Sequence, residues 1–99
     1  MRLTQEQIDA IRISVNDVFG LDAQVWLFGS RVDDHKRGGD IDLLVRPAAT
    51  HSMPSLSSKV HFLNKLERLI GERKVDVVVE AYDDSRPIVQ IAHKTGVLL

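Results

Sequence analysis

Three short apolar runs limit what this chain can become. Val25-Trp26-Leu27-Phe28 is unbroken and closes at Gly29. Ile41 to Val45 is a second run, stopped by Pro47, and Val75 to Glu80 is a third, with Val75, Val77 and Val79 on one face. Each has the length of a buried strand and is too short for a stable helix. Around them the apolar residues recur at helical spacing. Thr4 and Gln7 have capping-box spacing ahead of Ile8, Ile11, Val15 and Val18. Leu56, Val60, Leu63, Leu66 and Ile70 form the expected buried stripe of a helix over Ser55 to Ile70. A last helix is expected from about Pro87 to Thr95, with Ser85 its candidate cap. Gly20, Gly71 and Gly96 fall where the three helices should stop. The order is helix, strand, short irregular segment, strand, helix, strand, helix, which predicts an α/β domain with a small three-stranded sheet. Residues 46–54 are expected to be loop. The apolar tail Val97-Leu98-Leu99 either folds onto this sheet or faces another chain.

Ninety-nine residues, 43% hydrophobic and 27% charged, fit one globular domain over residues 1–99. No apolar run approaches the ~20 residues of a membrane-spanning helix, so no membrane partner is expected. The start, MRLTQEQIDA, lacks the apolar core of a secretory signal. Thirteen basic against fourteen acidic residues give a net charge of -1. That lacks the basic excess of a nonspecific nucleic-acid binder, so direct nucleic-acid binding is not expected. With no cysteine, disulfides, thiol catalysis and zinc–thiolate sites are excluded, and the cytoplasm is the expected compartment.

The chemistry-bearing residues cluster around the strands. Asp40 and Asp42 alternate at the start of the second strand, so they share a face with Cα atoms ~6.5 to 7 Å apart. Two carboxylates brought to ~4 Å repel by ~4 kcal/mol at a surface-like dielectric. A divalent cation converts that repulsion into binding, and magnesium prefers such hard oxygen ligands. Alone, the pair could equally be a solvated strand end. Gly29-Ser30 follows the first strand directly, where glycine permits a tight turn and free N–H groups could hold a phosphate; an ordinary turn reads the same way. Asp76 interrupts KVDVVV, and an acid in an apolar run needs a partner, a metal or solvent. An edge strand with a polar face would also supply that solvent. His35, His51, His61 and His93 show no metal-ligand spacing, and Trp26 is expected in the core.

Taken together, Gly29-Ser30, nine further residues, Asp40-x-Asp42 on a strand, a helix and Asp76 on the next strand resemble the nucleotidyltransferase superfamily. FGSRVDDHKRGGDIDLLV carries most of the likeness, which extends from the first helix to HKTGVLL. The resemblance is to its small bacterial branch, the minimal nucleotidyltransferases that act as antitoxins of HEPN-domain toxins. It implies a small nucleotidyltransferase fold, a three-stranded mixed sheet flanked by helices in the order α-β-α-β-α-β-α. It further implies that Asp40, Asp42 and Asp76 are the catalytic, metal-binding carboxylates. Gly29, Ser30 and Arg31 would hold the nucleotide phosphates. The chain departs from the family pattern at Val32-Asp33-Asp34, where a second arginine and a glycine are common, and at Gly39, where serine is usual.

The resemblance implies a magnesium-dependent transfer of AMP from ATP, with two Mg2+ ions, to a tyrosine hydroxyl of a HEPN-domain toxin. The alternative is a binding module that neutralises a partner by masking it, without chemistry. A stand-alone small-molecule nucleotidyltransferase is less consistent with a chain that has no room for a second substrate domain.

Overall fold

The computed structural model describes residues 3–29 and 40–99. The expectations placed on Ser30, Arg31 and the rest of residues 30–39 lie outside the described residues, as does the helix implied between the first two strands.

Helix α1, Gln5–Phe19, opens on the expected capping box: Thr4 Oγ1 accepts from the Gln7 N–H at 3.1 Å, and Gln7 Oε1 accepts from the Thr4 N–H at 2.9 Å. Strands β1 (Gln24–Phe28) and β2 (Ile41–Arg46) pair antiparallel. Helix α2, Ser55–Ile70, then crosses over to β3, Val75–Val79, which lies parallel to β2. A parallel neighbour requires such a crossover, and a helix is the usual way to make it. Helix α3, Pro87–Thr95, leads to β4, Val97–Leu98.

Among the described residues the sheet has four strands, in the order β3-β2-β1-β4, and not the three expected. The tail supplies the fourth: Leu98 pairs with Trp26, Val97 with Leu27, and the Leu99 N–H donates to the Val25 carbonyl at 2.9 Å. Two residues carry no strand pattern of their own. The free backbone edge of β1 is the template that makes them a strand.

One face of the sheet carries Val25, Leu27, Ile41, Leu43, Val45 and Val77, all buried against α1 and α2. The stripe of α2 differs from the expected one. Ser58, Phe62 and Leu66 are buried, with Leu63 and Ile70 partly so, whereas Leu56 and Val60 are 74% and 52% exposed. Phe62 decides the rotation. It is the bulkiest apolar side chain of the helix, and it packs on Phe19 of α1 with ring centroids 5.8 Å apart. Aromatic burial of this kind outweighs that of a Leu or Val.

The opposite face is covered by α3. Val89 and Ala92 close over Phe28 and Leu44, with Trp26 and Val78 at the margin. Trp26, expected in the core, is only half-buried. Arg86 occupies the cap position of α3, so Ser85 does not cap it. The Arg86 guanidinium is instead fixed by Asp84, at 2.7 Å, and by the Val79 carbonyl, at 2.8 Å. At the other end Gly96 has no room for a side chain: a Cβ there would lie 2.3 Å from the Ala92 oxygen and 3.0 Å from the Leu27 oxygen. That close approach lets α3 turn directly into β4.

Candidate active site

On the α3 side of the sheet, pairing sets side chains in rows. The first row is Phe28, Asp42 and Asp76: Phe28 lies opposite Asp42 across the antiparallel pair, and Asp42 stands beside Asp76 across the parallel one. Neighbouring strands are ~4.8 Å apart, so the two carboxylates begin from adjacent Cα positions on one face. Asp40 precedes β2 by one residue. The structure therefore brings the three predicted acids to one end of the sheet, Asp42 half-buried and Asp76 exposed.

Gly29 completes this end in an unexpected way. Its backbone has φ 78°, and a Cβ there would lie 2.3 Å from Asp42 Oδ2. Glycine is required twice, by the left-handed conformation and by the carboxylate that fills the place of its side chain. Its role is to seat Asp42. Ser30 and Arg31, predicted alongside it, are outside the described residues.

The charges are poorly balanced. Burial raises the Asp42 pKa, and the negative charges of Asp76 and then Asp40 raise it further, while Lys74 pulls it down. Among the described residues, Lys74 is a neighbour that the sequence reading did not single out. Its Nζ lies 3.4 Å from Asp40 Oδ2. Its backbone carbonyl also accepts from the Ile41 N–H at 3.1 Å, which locks the start of β3 to the start of β2. The spacing Lys74-x-Asp76 was the available signal, because alternate residues entering a strand share a face.

The donors suit a divalent cation. They are hard carboxylate oxygens at a solvent-accessible sheet end. Among the described residues no group of three or more His, Cys, Asp and Glu side chains is gathered into a metal-holding cluster. Asp42 and Asp76 are neighbours, and Asp40 is engaged by Lys74.

The far end of the same face is different. There Arg46 donates from Nε to Glu80 Oε2 at 2.6 Å and reaches Gln24 Oε1 at 3.4 Å. His93 of α3 bonds to Glu80 and packs edge-on against Trp26, ring centroids 4.5 Å apart. The Arg46 guanidinium lies 5.1 Å over the same indole. Beyond this row opens a groove of about 880 Å³, bordered by Arg46, Glu80, Met53 and Tyr82 and remote from the three acids. His51 donates to or accepts from Ser58 at 2.8 Å and packs on Phe19, ring centroids 5.4 Å apart.

The model of the nucleotidyltransferase domain family matches residues 8–99, and the chain belongs to that family. Its architecture is consistent with a minimal nucleotidyltransferase of the DNA polymerase beta-like superfamily. No curated protein matches the chain. No helix among the described residues is long and apolar enough to cross a membrane.

Proposed function

We propose that this domain transfers AMP from ATP to a tyrosine hydroxyl of a partner protein, and that the partner is a HEPN-domain toxin whose activity the modification silences. The observation that supports this most is the seating of Asp42, in register with Asp76, against a glycine with no space for a side chain. A structural strand end has no need of two adjacent acids, one of them raised in pKa by burial and by its neighbours. Asp42, Asp76 and Asp40 are the groups that would hold magnesium. When bound, the metal supplies positive charge against the triphosphate and the developing charge of the leaving pyrophosphate. The protein's own contribution is placement: the acids are fixed by two strands whose registers leave little freedom. In the transfer the tyrosine oxygen bonds to the α-phosphorus, the α–β phosphoanhydride bond breaks, pyrophosphate leaves, and the phenolic proton passes to solvent.

Incubating the domain with its partner, ATP and magnesium should add one AMP to a partner tyrosine, read by intact-mass and peptide mass spectrometry. Asp42→Asn should lower the rate by at least about 10²-fold, with the fold preserved by circular dichroism. A wild-type protein that neutralises the partner while leaving its mass unchanged would establish masking in place of chemistry.

A further inference from the structure

We propose that the groove beyond the far ends of β2 and β3, remote from Asp40, Asp42 and Asp76, docks a positively charged segment of a partner protein that carries a large apolar side chain. Docking there is independent of the transfer chemistry: the groove serves a partner that is modified and one that is only masked. Residues 46–55 form one wall and the turn after β3 forms the other. Both are fixed in place. The Ala48 N–H donates to the Phe19 carbonyl at 3.0 Å, and His51 bonds to Ser58 and packs on Phe19. In the turn, the Glu80 N–H donates to the Val45 carbonyl at 2.8 Å, the Ala81 N–H donates to Asp84 Oδ2 at 3.0 Å, and Arg86 holds the same carboxylate. Asp83 has φ 54°, the one left-handed non-glycine residue among those described. This turn displays Tyr82 wholly to solvent. An aromatic ring gains much from burial, and a fixed turn presents it at little further cost in entropy. On the other wall Met53 is 43% exposed, and Leu21 and Leu56, next in sequence to the lining residues Asp22 and Ser55, are 85% and 74% exposed. These apolar surfaces reach past the groove, farther than a small ligand covers, and an aromatic beside a methionine is typical of a protein interface. Charge names the occupant. Asp22, Glu80, Asp83 and Asp84 line the groove, and Arg46, already bonded to Glu80, is the only lysine or arginine among its described lining residues. Such a surface repels phosphates and attracts Lys and Arg. A second copy fits poorly, because a two-fold contact through the groove brings the same acids together.

The test selects short peptides from a random display library on the immobilised domain and measures the most enriched one by calorimetry. The selected peptides should share Lys or Arg together with a large apolar residue. Tyr82→Ala should weaken binding of that peptide at least about tenfold. Asp22→Asn/Asp83→Asn keeps the shape, since asparagine tolerates the left-handed backbone, and should weaken binding about three- to tenfold at low ionic strength and much less at high salt. Ile91→Ser alters an exposed apolar residue of α3 outside the groove and should bind as wild type does. The melting temperature of Tyr82→Ala should stay within about 2 to 4 °C of wild type, because an exposed ring contributes little packing, and this separates lost docking from lost folding. No enrichment, a selection without basic residues, or a peptide whose affinity survives both groove variants overturns the proposal. So does dimerisation of the free domain that Tyr82→Ala abolishes, which assigns the groove to a second copy. None of these variants alters Asp40, Asp42 or Asp76, so failure of docking and failure of AMP transfer are read separately.

Discussion

The two ends of the α3-covered sheet face are built from the same three strands in the same registers, yet they treat charge in opposite ways. At one end Asp42 and Asp76 stand side by side, and Lys74, among the described residues, is drawn toward Asp40. At the other, Arg46 and Glu80 stand side by side, and His93 and Gln24 complete the hydrogen bonds. The pKa shifts follow. Asp42 is raised, by burial first and then by Asp76 and Asp40. Burial pushes Glu80 upward as well, but hydrogen bonds from Arg46 and His93 outweigh it, and the net shift is downward. Both carboxylates are partly withdrawn from water, so the contrast arises from their neighbours. One end is complete within the chain. At the other, the described residues set like charges side by side, and a carboxylate raised in this way marks a candidate ligand site.

The largest effect should come from removing the feature that seats Asp42. Gly29→Ala places a Cβ 2.3 Å from Asp42 Oδ2 at a backbone angle alanine rarely adopts. Relief requires the carboxylate to swing or the turn to shift. A displacement of about 1 Å at a reacting centre costs about 10²-fold in rate, and the strained angle should add about 1 to 2 kcal/mol of instability. AMP transfer and urea melts measure the two separately. A variant with wild-type transfer would erase the distinction between the ends, because it would mean that the position of Asp42 is immaterial.

The sequence made some of this contrast legible. The acids announce themselves: Asp40-x-Asp42 and Asp76 interrupt apolar runs, and strand alternation places them on one face. The strand cores and the capping box follow from equally local rules. The complete end was invisible for the opposite reason. Arg46, Glu80 and His93 lie on β2, beyond the end of β3 and on α3, and only the parallel register and the docking of α3 unite them. Glycine at position 29 was legible as a turn but not as space for a carboxylate from another strand. The α2 stripe misled because Leu56 and Val60 fit a helical period as well as Ser58, Phe62 and Leu66 do. Packing on Phe19 selected between them, and no local pattern encodes that choice. The fourth strand depends likewise on the edge of β1 for its existence.

A second, smaller effect should appear at the complete end. Glu80→Gln keeps the shape but removes the charge that Arg46 and His93 answer, and should cost about 1 to 2 kcal/mol at neutral pH. A lowered carboxylate pKa contributes stability that is present above the unfolded value and is lost as pH falls through the folded one. The deficit of Glu80→Gln should therefore close under acid conditions below the usual carboxylate range. Urea titrations of wild type and variant across that interval measure it. A deficit independent of pH would assign Glu80 to packing and not to charge.

The smallest effect should have the opposite sign. Asp76→Asn removes the like charge directly beside Asp42, and Asp76 itself is exposed on an edge strand, with little packing to lose. Like charges in adjacent register are destabilising, and screening by water at this exposed edge holds the expected gain to about 0.5 kcal/mol. Its pH dependence follows from Asp42. A carboxylate whose folded pKa is raised favours the native state while it is protonated, and that favour is lost as pH rises through the raised folded value. Wild type should thus fall behind Asp76→Asn as pH climbs out of the acid range, and the two should converge in acid, where Asp42 is neutral. Chelated, metal-free urea melts at acid and neutral pH provide the comparison. Adding millimolar magnesium should then reverse the order, because wild type gains a bound cation that Asp76→Asn holds less well. If the variant is less stable than wild type in chelator at neutral pH, the Asp42–Asp76 row is held together by contacts of its own, and the two ends of the sheet are alike after all.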